Sequence, residues 1–245
     1  MSFLKNHPFA VEAHFKSTIV LTYALPKTQL EGLLPKCLTL DAHNDEWAFI
    51  AVALVQTENL RPKGFPKFMG NDFFLAGYRI FVRYTTNAGK SLRGLYILKS
   101  ETDKKKMAFF GNIFTHYNYT ATDIKLSETD ENINIYSNKS DLAIELSKNE
   151  NAHLPKGSVF EDWNTARRFA GPLPFTFTYN ELNNEVTIIE GVRQNWIPKP
   201  IEVIKAEIGF IKQDKFKGAI LANAFVNENI PYYWKKGKTE IWKSI

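Results

Sequence analysis

The run FFLAGYRIFVRYTT, Phe73 to Thr86, leaves this chain little choice of local structure. Tyr78, Ile80, Val82 and Tyr84 fall on one face of an extended strand, and Arg79, Phe81 and Arg83 fall on the other. Both faces carry large side chains, so a sheet built on this strand must be covered on one side and meet either solvent or a cavity on the other. The segments around it share the strand character. STIVLTYAL (Ser17 to Leu25) is rich in β-branched residues and Tyr. LTLDAHNDEWAFIAVALVQTENL reads as two strands about a polar turn, Ala42 to Glu46. NAGKSLRG is a turn leading into the strand LYILKSE, and FTFTYNELNNEVTIIEGVRQ is a hairpin about Asn183-Asn184. IEVIKAEIGFI and GAILANAFVN add further strands. About ten strands against a few short helices define a mainly β protein, an antiparallel barrel or sandwich.

The helices are expected at four places. Thr28 and Glu31 form a T-x-x-E box that predicts a short helix from Gln29 to Leu34, stopped by Pro35. Asp103 is expected to cap a helix from Lys104 to Ile113. SDLAIELSKN reads as a short helix. Ser158 and Glu161 form a second box ahead of VFEDWNTARRFA, which Gly171 and Pro172 end. No linker or repeat divides the 245 residues, so residues 1–245 are read as one domain.

Composition narrows the function classes. The net charge of +5 is spread along the chain, with tight clusters only at Lys104 to Lys106 and at Lys235, Lys236 and Lys238. A nucleic-acid binder concentrates its charge on one face, so no nucleic acid is expected as partner. The single cysteine, Cys37, can form no intrachain disulfide. The N-terminus lacks the apolar core of a signal peptide and FIAVALV is far too short to span a bilayer, which points to a cytoplasmic protein with no membrane association. The five histidines are widely spaced, so no metal is expected. No nucleotide-binding or nucleophile motif is present, and no cofactor is implied.

The chain resembles the acetoacetate decarboxylase-like superfamily. The resemblance rests on IVLTYALPKTQLEGLLPKCLTLD, RPKGFPKF, GYRIFVRY, GLYILKSE and FFGNIFTHYNY, which together extend from about Ser17 to Tyr233. They are most similar to its uncharacterised DUF2071 branch. The resemblance implies a β-barrel or cone with a central cavity and a few peripheral helices. It also implies a small carbonyl- or carboxylate-bearing ligand, and homo-oligomers occur among such relatives. Any catalysis it implies is a lyase-type step on a small keto acid. In that superfamily a lysine amine, its pKa depressed by a neighbouring cation, forms a Schiff base. This lysine belongs to a Lys-Lys pair after a Pro, beyond the segment matching MAFFGNIF. Here GNIFTHYNY occupies that place, and no lysine lies between Lys106 and Lys125. Lys16 stands where the superfamily has an Arg, and Leu75 or a neighbour where it has a Glu.

The candidate ligand contacts are therefore Lys16, Arg79 and His116, with Phe114 and Trp196 as walls. Lys105, Lys106 and His116 are the candidate catalytic groups. Each has a plainer alternative: Lys104 to Lys106 as a solvated turn, Arg79 and Arg83 on an outward face, and His116 and Trp196 as structural residues. Arg167 and Arg168 near a helix end, and Arg193 beside Trp196, are secondary candidates. A scaffold protein that kept the barrel and lost the site is the competing function. A closed pocket with Lys16 and Arg79 converging inside would favour a ligand, and a side-chain-filled interior the scaffold.

Overall fold

A computed structural model describes residues 2–149, 152–170 and 173–243. Its strands are β1 Val11–Pro26, β2 Thr39–Leu40, β3 Trp47–Pro62, β4 Asn71–Thr85, β5 Ser91–Thr102, β6 Tyr119–Ala121, β7 Lys125–Glu128, β8 Asn132–Ser137 and β9 Leu142–Ser147. They continue with β10 Phe175–Asn180, β11 Glu185–Arg193, β12 Lys199–Pro200, β13 Glu202–Ile208, β14 Ile220–Trp234 and β15 Lys238–Ile241. The α-helices are α1 Lys27–Glu31, α2 Lys105–Phe114 and α3 Trp163–Ala170.

The large sheet runs β14-β1-β3-β4-β5-β10-β11, and β11 pairs back onto β14 at Gly191 to Arg193, so these strands form a ring. Every step is antiparallel except β5 to β10, where Gly94 to Tyr96 pair in parallel with Phe175 to Phe177. The long strands β1 and β3 are buried on both faces, which is why FIAVALV reads as a continuous apolar run. Ile50, Val52 and Leu54 join one core, while Ala51, Ala53 and Val55 join another on the opposite face. The first core also takes Tyr78, Ile80, Val82 and Tyr84 of β4. The second sheet, β13-β9-β8-β7, packs into it through Ile133, Ile135, Leu142, Ile144 and Leu146. The period-2 reading of β4 thus matches its burial. Arg83 turns toward Asp41 instead of a ligand: Asp41 accepts from Arg83 Nε at 2.8 Å and from Arg93 Nε at 2.7 Å.

Several local expectations need correction. SDLAIELSKN contains β9, not a helix. Leu142, Ile144 and Leu146 repeat every two residues, and pairing with β8 and β13 buries all three. Here the strand period, supported by neighbours distant in sequence, overrides helix propensity. None of the proposed boxes caps its helix. α1 begins after Pro26 without a side-chain cap. Asp103 Oδ1 instead accepts from the backbone N–H of Phe74 at 2.8 Å, tying the start of α2 to β4. The Ser158 hydroxyl donates to the Ala222 carbonyl at 2.6 Å, and Asp162 accepts from Thr165 N–H at 2.7 Å in the first turn of α3. The expected stop at Gly171 and Pro172 lies outside the described residues. No helix among the described residues is long and apolar enough to cross a membrane.

Candidate functional site

The ring lines a cavity of about 430 Å³ that is partly open to solvent, and each of its strands contributes to the wall. β1 supplies Phe15, Thr18 and Val20, β3 supplies Ala51, Ala53 and Val55, and β4 supplies Leu75, Arg79 and Phe81. Leu95 and Ile97 come from β5, Thr176 from β10, Arg193 from β11, and Phe225, Tyr232 and Trp234 from β14. Helix α2 lies across one side with Lys106, Met107, Phe110 and Phe114, and the N-terminal residues His7 to Phe9 complete the wall. Asn112 fixes this helix by a reciprocal pair of bonds, donating to the Tyr119 carbonyl and accepting from the Tyr119 N–H, both at 2.8 Å.

Arg79 is the central polar group. Gly77, two residues earlier on the same strand face, leaves the space it needs: a Cβ there would lie 2.9 Å from Arg79 Nε. Arg79 Nε is closed to solvent and has no hydrogen-bond partner. Burial pulls the Arg79 pKa below its ordinary value, the phenols of Tyr232, Tyr119 and Tyr117 oppose that shift, and the like charge of Arg193 adds to it. Arg193 lies 4.5 Å over the Trp196 ring and 5.5 Å from the Tyr232 ring, with Nε and Nη2 buried and unbonded. Among the described residues, no Asp or Glu lines the cavity. Burial pushes the Tyr119 phenol up to about 12 and the Tyr117 phenol higher still, so both remain neutral donors at physiological pH. The site is therefore an apolar chamber with two unneutralised guanidinium groups and neutral phenols. In a low-dielectric enclosure such donors favour an anion strongly, and a guanidinium fork matches a carboxylate.

The structure distributes the sequence candidates unevenly. Arg79, Phe114 and Trp196 line the cavity. Phe114 packs edge-on to Phe9 at 5.1 Å, and Trp196 meets Phe225 at 6.2 Å. Lys106 also lines the cavity, while its side chain remains exposed. Lys105 is exposed and lies outside the lining. Lys16 is exposed as well: it is the extra residue where the β1 register shifts between Phe15 and Ser17, and the bulge turns it away from the wall that Phe15 and Thr18 share. His116 is half-buried beyond the lining, its pKa lowered by burial and then by Lys5. Arg167 and Arg168 are exposed on α3.

Sequence reasoning left Tyr117, Tyr119, Tyr232 and His7 out of the site and gave Arg193 only a secondary place. HYNY did carry a signal, because Tyr117 and Tyr119 are two apart and so share a side of the chain. Among the described residues, no group of three or more His, Cys, Asp or Glu could hold a metal ion.

His7 is buried, and burial lowers its pKa to about 4. Its backbone N–H donates to the Phe114 carbonyl, which ties the N-terminal segment to α2. An unfolded His takes up a proton near its ordinary value of 6.5, and the folded chain resists until about pH 4. Stability from this group is therefore complete above pH 6.5 and falls as the pH drops toward 4, by about 2 kcal/mol at pH 5. Denaturant melts at pH 7 and pH 5 are expected to show this loss, and His7→Gln should flatten it. An unchanged slope in the variant would assign the pH dependence to other groups.

A strand ring around an apolar cavity, with short helices at its margin, places this protein in the acetoacetate decarboxylase-like fold class. The chain belongs to the DUF2071 family, described as an uncharacterised conserved protein, whose model matches residues 12–236. An acetoacetate decarboxylase from Legionella pneumophila superposes with a TM-score of 0.60 at 12% identity, covering 95% of this chain and 88% of that one. An acetoacetate decarboxylase-like enzyme from Sphingomonas wittichii gives 0.58 at 12% identity, over 98% and 94% of the two chains. The enduracididine biosynthesis enzyme MppR, complexed with pyruvate, gives 0.53 at 9% identity, over 95% and 88%. At these identities the likeness establishes the fold alone. No curated protein matches the chain.

Proposed function

We propose that this protein binds a small carboxylate- or carbonyl-bearing molecule inside the ring, with Arg79 and Arg193 as its anion receptors. One observation carries the reading: of the three guanidinium groups lining the apolar cavity, Arg61 is paired with Glu12, while Arg79 and Arg193 have no acidic partner among the described residues. Charges this deep are costly unless an opposite charge meets them, so a ligand carboxylate completes the site. The scaffold alternative expects an interior filled by side chains, and a cavity of about 430 Å³ speaks against it. A fold relative complexed with a 2-oxo acid is consistent with the ligand class.

Titration of simple carboxylates into the protein, read by Trp196 fluorescence and by calorimetry, tests the reading. Binding should require the charge, so the matching neutral amides are expected to bind at least tenfold more weakly, a difference of about 1.4 kcal/mol. Equal binding of acid and amide would remove the anion-receptor role.

A second reading is favoured by the position of Lys106. Its place in the cavity lining makes it the one member of the Lys-Lys pair that could meet a bound carbonyl group. In a lyase of this type its deprotonated amine would attack the ligand carbonyl carbon, and uptake of a proton with loss of water would give the iminium. Borohydride reduction in the presence of β-keto acids is expected to trap an adduct on Lys106 and to spare Lys105. Labelling spread over many surface lysines, or no labelling, would remove amine catalysis and leave the binding reading intact.

A further inference from the structure

The dimensions and walls of the cavity specify the ligand further than its charge does. We infer that the molecule taken by this site is a monocarboxylate with a long apolar tail, alkyl or aryl, of roughly six to ten carbons. This rests on the anion-receptor reading above.

The volume is the first argument. At about 30 Å³ for each water-sized group, the cavity of about 430 Å³ holds roughly a dozen non-hydrogen atoms. A three- or four-carbon oxo acid would occupy about half of that or less. The remainder would be water against Phe15, Val20, Phe81, Leu95 and Phe225, which offer it nothing to bond. Wet space against apolar walls is unfavourable, and an apolar tail displaces it.

The distribution of polar groups is the second. Arg79, Arg193 and the phenols beside Arg79 form one donor cluster, with the like charge of Arg193 acting on Arg79; of the other cations in the lining, Arg61 is paired with Glu12 at 2.7 Å and Lys106 is exposed. The β1 and β3 wall beside this cluster, where Ala51 pairs with Arg79, offers Val20, Ala51, Ala53 and Val55, with Thr18, Thr57 and the Glu12-paired Arg61 as its polar members. A dicarboxylate or a polyhydroxylated acid would have to lay its second polar end along Val20, Ala51, Ala53 and Val55, at the cost of an unmade hydrogen bond. One anionic head in a donor cluster and one apolar tail along aliphatic walls satisfy both parts of the chamber.

Calorimetric titration of the whole protein with acetate, butyrate, hexanoate, octanoate, 3-phenylpropionate and succinate tests the inference without any variant. Affinity is expected to rise about fourfold for each methylene added, the ratio equivalent to the transfer of one buried CH₂, and to level off once the tail fills the chamber. 3-Phenylpropionate is expected to bind at least a hundredfold tighter than acetate, and succinate no tighter than butyrate. A flat response to chain length, or succinate binding tightest, would overturn the long-tail assignment while leaving the carboxylate reading in place. Octanamide binding as tightly as octanoate would overturn the carboxylate reading itself. Failure of every acid to bind at millimolar concentration would overturn both.

Discussion

Replacing Arg79 with methionine is expected to abolish most carboxylate binding and, at the same time, to make the protein more stable. The binding loss follows from the removal of a half-buried guanidinium that has no acidic partner among the described residues of the cavity wall. Truncating one member of a desolvated charge pair costs about 2–5 kcal/mol, so the affinity should fall by about a hundredfold or more. The stability gain has the same origin. In the empty protein Arg79 is half-buried with its Nε closed to solvent and unbonded, and Arg193 is a like-charged neighbour. A methionine of similar length keeps the packing over Gly77 and removes the charge, which should stabilise the fold by about 1–2 kcal/mol. Arg79→Lys separates geometry from charge: it retains the cation, loses the fork, and should bind carboxylates with intermediate affinity. Chemical denaturation together with calorimetry measures both effects. A methionine variant that is less stable and still binds would show that Arg79 serves the fold rather than a ligand.

Gly94→Val is expected to prevent ring closure. Gly94 sits at the parallel step between β5 and β10, where it pairs with Phe175. A Cβ at this position would collide with the Phe175 carbonyl oxygen and lie 2.6 Å from the Phe177 ring. Backbone on one side and a fully buried aromatic on the other leave no direction for relief. The destabilisation should exceed about 4 kcal/mol, a size reached only when packing and pairing fail together. Carboxylate binding should vanish with it, because Leu95 and Thr176 at this step are part of the wall. Gly32→Ala is the matching control: it has a helical φ of −67° and nothing within 4 Å of the added Cβ, so its melt should barely move. If Gly94→Val folded as well as this control, β10 would not be closing the ring through that contact.

Much of the fold was legible because β-structure writes itself into sequence at a period of two. The faces of β4, the hairpin at Asn183-Asn184 and the twofold-buried β3 all follow from residues adjacent in the chain. The order of the family motifs along the chain was equally legible. Boundaries and caps were less so, since a carboxylate such as Asp103 can satisfy either its own helix or a strand far away, and here it bonds Phe74. The segment Leu142–Ser147 shows the same limit, because a strand between two neighbours depends on those neighbours more than on its own propensity.

For the site, the sequence by itself determined which residue types were available: a face bearing Arg79 and Phe81, aromatic-rich segments on both sides, and a lysine cluster ahead of a helix. Only the tertiary structure decided which of these residues meet. Ring closure between β11 and β14 carries Arg193 and Tyr232 to a cavity shared with Arg79, although more than 100 residues separate Arg79 from either of them. One extra residue in β1 turns Lys16 out of the same cavity. The physical reason is that periodicity fixes the face a side chain takes within its own strand. Whether that face meets solvent, a packed core or a cavity depends on strands that are remote in sequence and adjacent only once the sheet has closed.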